Sequence, residues 1–268
     1  MRYFLHLAYN GSKYSGWQRQ ANSLGIQEVI EQALHKIFKK QVNCAGCGRT
    51  DAKVHASQYF AQIDIDKELD FDLAFILNKI LPHDIVIFDV ISVSSSQNVR
   101  QQAHCRTYDY FIHLNNDPFL YDLSSFYDIK DIDVSLMKQA VDLLPKHNNY
   151  QSLCLCPNKH NTTLCNVFDA KLFTSKNKKR IRFQISANRF MRGMIRIIIS
   201  KLIDIGTGKL SIEQFREILT NPQPPSTFNL AWPQGLYLTK VSYPFLDVEC
   251  NSEFMSIIQN DEWIEILA

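Results

Sequence analysis

The chain has 268 residues, of which 46% are hydrophobic, 12% aromatic and 21% charged; that much apolar surface offsets chain entropy and excludes intrinsic disorder, and nine Gly and nine Pro exclude a collagen-like or low-complexity chain. The net charge is only +2, so bulk charge names no partner. Charges or turns interrupt every apolar run short of the roughly 18 residues that a membrane span needs.

The first ten residues lack the apolar stretch and small-residue cleavage site of a secretion signal. The chain is expected to be cytoplasmic, with no membrane role. Arg2–Tyr9 reads as a strand ending at the turn signal Asn10-Gly11. Residues 26–39 read as an amphipathic helix, with Ile26, Ile30, Leu34 and Phe38 four apart. Residues 41–47 form a short strand running into Gly48-Arg-Thr-Asp51, and residues 58–65 alternate as a strand should. Residues 71–80 form a helix stopped by Leu81-Pro82, Ile85–Val93 an apolar strand, and Ser94-Ser-Ser-Gln97 a soft linker.

A second round follows: strand 106–114, helix 134–144, hairpin 171–185, helix 190–205 closed by Gly206, and helix 212–219. A rigid loop, Asn221-Pro-Gln-Pro-Pro-Ser226, then leads to a closing strand at 236–243. The two rounds open alike, with Tyr3-Phe-Leu-His-Leu7 and Tyr110-Phe-Ile-His-Leu114. The expected fold class is α+β: two tandem sheet-plus-helices subdomains, residues 1–97 and 98–268, with a site in the cleft between them.

Seven cysteines is an odd count, and without an export signal they read as reduced thiols. Cys44-x-x-Cys47 and Cys154-x-Cys156 with His160 invite a zinc reading. The spacing is loose and the first pair falls on a strand instead of a knuckle turn, which favours packed or surface thiols and no metal. Charge is unevenly spread. Residues 171–203 carry ten Lys/Arg and no Asp or Glu, whereas residues 241–268 carry six acids and no Lys or Arg. This fits a polyanion-binding face beside an acidic C-terminal segment. On a helical wheel Arg189, Arg192 and Arg196 fall within about 60° of one another, with Phe190, Met194, Ile198, Leu202 and Ile205 on a core face.

Asp51 sits in a strand-end loop two residues from Arg49, a place suited to function and equally to capping a turn. The wider pattern separates the two. Gly48-Arg-Thr-Asp-Ala-Lys-Val-His55 resembles the G-R-T-D-A-G-V-H signature of the TruA-type tRNA pseudouridine synthases. Tyr9-Asn-Gly-Ser-Lys-Tyr-Ser-Gly-Trp-Gln-Arg-Gln20 resembles that family's opening motif, and Ile26-Gln27 its following V-Q. Asn78-Lys-Ile-Leu-Pro-His-Asp-Ile85 is similar to N-x-x-L-P-x-D-I, Arg106-Thr-Tyr-Asp-Tyr110 to R-x-Y-x-Y, and the stretch from Ala187 to Arg196 to A-x-x-F-x-x-x-M-V/I-R. Gly235-Leu-Tyr-Leu238 and Val241-Ser-Tyr-Pro244 are similar to its C-terminal G-L-Y-L and V-x-Y-P.

The resemblance implies a pseudouridine synthase fold and the isomerisation of uridine to pseudouridine in tRNA, at positions 38–40 of the anticodon stem-loop, without cofactor or metal, by a homodimer. It places the catalytic carboxylate on Asp51, the active-site tyrosine on Tyr108 and the carboxylate-pairing arginine on Arg196, with Arg49 holding the flipped nucleotide. Lys53, Arg106, Lys178, Lys179, Arg189 and Arg192 complete the expected RNA-binding set. The chemistry needs these types. The C1′–N1 bond must break, uracil must turn and a C1′–C5 bond must form. A carboxylate can attack C1′ or C6, or act as a base at C2′. A guanidinium favours the ionised carboxylate and fixes its direction. A tyrosine can stack on uracil and relay the C5 proton. A stem uridine must first be flipped out, at a cost of a few kcal/mol.

The chain departs from the pattern at Lys53 in place of Gly, Gln97 in place of an aromatic, Arg192-Gly193 in place of His-His, Ile197 in place of Asn and Ser200 in place of Gly. The stretch His160-Asn-Thr-Thr-Leu-Cys165-Asn stands where the family is Arg-rich. Such drift fits a divergent paralogue. The alternatives are the same chemistry on another uridine or another RNA, and a non-catalytic RNA-binding or folding factor.

Overall fold

A near-continuous apolar run such as Arg2–Tyr9 suits a strand covered on both faces, and it forms strand β1 (Arg2–Tyr9), buried from Tyr3 to Leu7. In the computed structural model, which describes residues 1–224, 227, 229–252 and 263–267, β1 lies between β3 (His55–Asp64) and β4 (Ile85–Val93), antiparallel to both. On its other side β3 pairs with the short β2 (Cys44–Gly46), antiparallel, and with β9 (Leu236–Ser242), parallel. Alternation puts Phe4, His6 and Phe60 on one face, where Tyr243 packs against both phenylalanines. Tyr59 faces the other way, and Trp17 stacks on it at 4.2 Å.

Helix α1 (Ile26–Phe38) buries Ile26, Ile30 and Leu34 beside β2, each side chain contributing about 1.5–3 kcal/mol. It ends where Lys39 turns left-handed at φ 55°. Helix α2 (Leu73–Ile80) packs on β4 and starts at Asp72, whose side chain accepts the Phe75 N–H. The Asn78 amide pairs both ways with the Ile87 backbone, at 2.7 and 2.8 Å, locking helix to strand.

Contacts divide the chain into two compact units. Met1–Arg106 groups with residues 237–252, and Thr107–Leu236 groups with residues 263–267. Residues 98–106 and 237–252, which the sequence reading put in a second tandem subdomain, thus group with the first unit. Residues 98–106 stay with the first unit because they are tied to it. The Val99 N–H donates to Gln62, the Tyr243 hydroxyl donates to the Val99 carbonyl, and the His104 N–H donates to Ser242.

The second unit is built on β5 (Cys105–His113), β7 (Val167–Ser175) and β8 (Arg180–Ala187), in the order β7-β8-β5. A short β6 (Ser125–Phe126) runs parallel to the end of β5. Strand β10 (Trp263–Glu265), which the sequence analysis did not anticipate, pairs antiparallel with β7. Helix α3 (Val134–Val141) stops before the 144–146 turn, because Pro145 there has no N–H to continue an α-helix. It packs on helix α4 (Met194–Gly206) and helix α5 (Ile212–Thr220), the latter opened by a Ser211/Gln214 capping box. Nine residues of α4 are buried, among them Met194, Ile198, Leu202 and Ile205, while Arg196, Ser200 and Asp204 form a half-buried polar stripe along it. Among the described residues no helix is long and apolar enough to cross a membrane.

Two expectations change. Helix α4 starts at Met194, not at 190, because Gly193 adopts φ 71° and breaks the helical path. Arg189 and Arg192 therefore precede the helix and do not share a helical face with Arg196. Phe190 is half-buried outside the helix. The rigid loop is described only in part, since Pro225 and Ser226 lie outside the described residues. All seven cysteines are free thiols; Cys44, Cys47, Cys154 and Cys165 are buried, and Cys156 and Cys250 are exposed. The histidines of the two similar openings, His6 and His113, are both buried, and burial lowers both their pKa values.

Candidate active site

The Asp51 loop has no regular structure of its own, so its shape must come from what it touches. The opening motif supplies that surface. The Trp17 N–H donates to the Thr50 carbonyl, the Lys53 N–H donates to the Tyr14 carbonyl, and the Gly11 N–H donates to His55 Nδ1 at 3.1 Å. The Tyr9 hydroxyl meets Thr50 Oγ1 at 2.8 Å, and the Tyr59 hydroxyl donates to the Gly48 carbonyl at 2.6 Å. Gly16 sits at φ 91°, and a Cβ there would fall 2.3 Å from the Thr50 carbonyl oxygen, so only glycine permits this approach. Tyr14 is itself fixed, donating to Asp84 Oδ1 at 2.5 Å; burial and the Asp84 carboxylate raise its pKa and keep the donor protonated. The opening motif and the first residues of β3 thus hold this one loop, with Asp51 half-buried and Arg49 exposed.

Arg106 belongs to the same assembly. Its guanidinium donates to the carbonyls of Cys47 (2.8 Å), Arg100 (3.0 Å) and Ala103 (3.2 Å). It braces the chain just before Gly48. Burial raises the neighbouring Cys47 thiol to about 11, with Arg106 pulling the other way, so this thiol stays protonated.

The other two catalytic candidates lie in the second unit. Tyr108 is buried on β5, with the Phe190 ring edge-on at 5.1 Å. Arg196 stands in the first turn of α4, half-buried, and its Nε donates to the Ala231 carbonyl at 2.7 Å. The Ala231 N–H returns a bond to the Arg196 carbonyl at 3.0 Å. No spacing in the sequence announced this partner. Ala231 and Trp232 also border a cavity of about 440 Å³ that Tyr127, Asp204 and Lys209 help to line, and none of the sequence-derived site residues lines it.

The basic tract divides into exposed and internal members. Lys178, Lys179 and Arg192 are exposed and Arg189 is half-buried. Arg182 is internal: its Nε lies 2.6 Å from Asp109 Oδ1, with 6% and 1% of the two residues exposed. Arg180 lies over the Trp263 ring at 5.3 Å, so the C-terminal strand covers part of the tract. Gly193, in the His-His position, takes the left-handed conformation, and a Cβ there would fall 2.8 Å from the Leu155 side chain.

With this geometry established, a profile of the tRNA pseudouridine synthase family matches residues 146–244. The tRNA pseudouridine synthase A of Porphyromonas gingivalis is 36% identical over 246 residues, 91% of this chain and 97% of that protein. That of Bacteroides fragilis is 36% identical over 91% of this chain and 96% of its own length. That of Thermodesulfovibrio yellowstonii is 32% identical over 88% and 97%. The chain is an RNA pseudouridine synthase, an isomerase. It belongs to the TruA-type tRNA pseudouridine synthases.

Lys53 takes the left-handed backbone conformation, at φ 64°, that glycine adopts without steric cost. An L-residue pays about 1–2 kcal/mol for that conformation, and glycine avoids this at the expense of about 0.5–1 kcal/mol of chain entropy. Lys53→Gly is therefore expected to stabilise the fold by about 0.5–1 kcal/mol. Urea unfolding checks it; a lowered midpoint would mean that the lysine side chain itself holds the loop.

Proposed function

We propose that the chain isomerises uridine to pseudouridine in the anticodon stem-loop of tRNA, at positions 38–40, with Asp51, Tyr108 and Arg196 as its catalytic residues. The observation that carries this reading is the construction of the Asp51 loop. Four side-chain and backbone contacts from the opening motif and from Tyr59 fix a short segment that has no helix or strand to hold it, and the Gly11 N–H adds one at His55, where β3 begins. Such investment in one loop fits preorganisation of a reacting group better than turn-capping. Asp51 acts as the carboxylate that attacks the nucleoside or removes a proton from it. Arg196, whose Nε donates to the Ala231 carbonyl, is the guanidinium proposed to pair with that carboxylate. Tyr108 supplies a stacking ring and a hydroxyl for the C5 proton. Arg49 and Lys53, both exposed beside Asp51, receive the flipped nucleotide and its phosphates.

The same chemistry on a different uridine is the second reading, favoured by Arg192-Gly193, where the Leu155 N–H donates to the Arg192 carbonyl at 2.9 Å. Mapping pseudouridine in RNA from cells lacking the protein separates the two. The proposed working form is a cytoplasmic homodimer, and sedimentation at micromolar concentration is expected to give a dimer; a monomer would refute that part.

Asp51→Asn is nearly isosteric but can be neither nucleophile nor base. It is expected to abolish turnover of a tRNA transcript while leaving tRNA affinity and thermal stability nearly unchanged. Retained turnover overturns the mechanism. Lys178, Lys179, Arg189 and Arg192 are assigned to phosphates. Changing all four to Ala should reduce the slope of log affinity against log salt by about 3, since each neutralised phosphate releases counterions, with little change in single-turnover rate at saturating tRNA. An unaltered slope would put the RNA path elsewhere.

A further inference from the structure

The Arg196 Nε donates to the Ala231 carbonyl, and that acceptor lies on a segment without helix or strand. What holds the segment is visible at its next residue. The Trp232 carbonyl lies 2.8 Å from the Tyr110 hydroxyl and 3.2 Å from Ser125 Oγ. The Trp232 N–H donates to the Tyr127 hydroxyl at 3.2 Å. Tyr110 and Ser125 are fully buried, 2.8 Å apart, and the two phenols are 3.3 Å apart. The backbone of Trp232 is thus gripped by two tyrosine hydroxyls, while Arg196 takes both polar backbone atoms of the preceding Ala231. Burial raises the pKa of both phenols, so they remain protonated at neutral pH.

We propose that Tyr110 is a positioning residue for the isomerase: with Tyr127 it fixes the Ala231–Trp232 backbone, and through Ala231 it sets the direction of the Arg196 guanidinium. The proposal rests on the reading of Arg196 as partner of the catalytic carboxylate. The aromatic ring of Tyr110 serves packing, and phenylalanine would serve that equally. The hydroxyl is different, because its acceptor is the residue next to the one Arg196 uses. A carbonyl released from this grip can drift, and a misplacement of about 1 Å at a catalytic group can cost on the order of 100-fold in rate.

The test uses the full chain and a tRNA transcript under single-turnover conditions. Tyr110→Phe is expected to slow pseudouridine formation by about 10- to 100-fold, with tRNA affinity within about twofold of the parent. Tyr127→Phe should act in the same direction and more weakly, and it carries the same measurements if Tyr110→Phe fails to fold. The readout specific to positioning is the Nε–Hε resonance of Arg196, assigned by its loss in Arg196→Lys. Its hydrogen exchange should accelerate in Tyr110→Phe, and in the Arg196→Lys background Tyr110→Phe should add no further slowing. An unchanged rate, unchanged Arg196 exchange, or equal slowing in both backgrounds overturns the proposal. The functional reading fails separately, by turnover in Asp51→Asn, and the Arg196 exchange measurement stands whichever way that falls.

Discussion

The fit of the opening segment onto the Asp51 loop is the constraint on which the first unit's chemistry depends. A loop with neither helix nor strand has no internal ladder of hydrogen bonds, so its backbone groups must be met from outside. Residues 9–17 meet them with backbone more than with side chains, and Gly16 allows the two backbones to touch. Tyr14 and Asn10 in turn are anchored on Asp84, at the end of the turn that leads into β4. The carboxylate's position therefore rests on a chain of short contacts ending in the sheet.

The arginines divide by environment. Arg106 is spent on three carbonyls, and Arg182 on a buried carboxylate that Gln184 also contacts. A planar fork with several donors suits such multiple partners, whereas the exposed members at the tip of the β7–β8 hairpin are lysines, compact charges that water solvates well. Breaking a buried pair such as Arg182–Asp109 typically costs about 3–5 kcal/mol, because the remaining charge is left uncompensated. The basic tract is hence partly a folding feature and partly a surface.

Strand β5 shows how one motif can serve two loops. Alternation puts Arg106, Tyr108 and Tyr110 on the same face of the strand. Arg106 braces the approach to Gly48, and Tyr110 braces Trp232, next to the acceptor of Arg196. The middle residue is the one assigned to the substrate. In R-x-Y-x-Y the outer residues are thus supports, each for the backbone near a different catalytic candidate.

Periodicity and turn signals by themselves determined much of this protein. β1 and β4 have the bounds read from the sequence, and α1, α2 and α5 agree within two residues. These are local properties: burial on one or both faces repeats every two or 3.6 residues, and glycine, proline and capping residues act on their neighbours. Tertiary structure alone decided the rest. The start of α4 depends on Gly193 fitting against Leu155, so a helical wheel drawn through Arg189 and Arg192 was misplaced. Arg182 looks like any other cation of the basic tract, and only its partner Asp109 turns it inward. β10 pairs with β7 some ninety residues away, and Ala231 meets Arg196 across thirty-five, through backbone atoms that every residue carries. A contact made by backbone over such a separation leaves no mark in residue type, which is why it had to be seen in the fold.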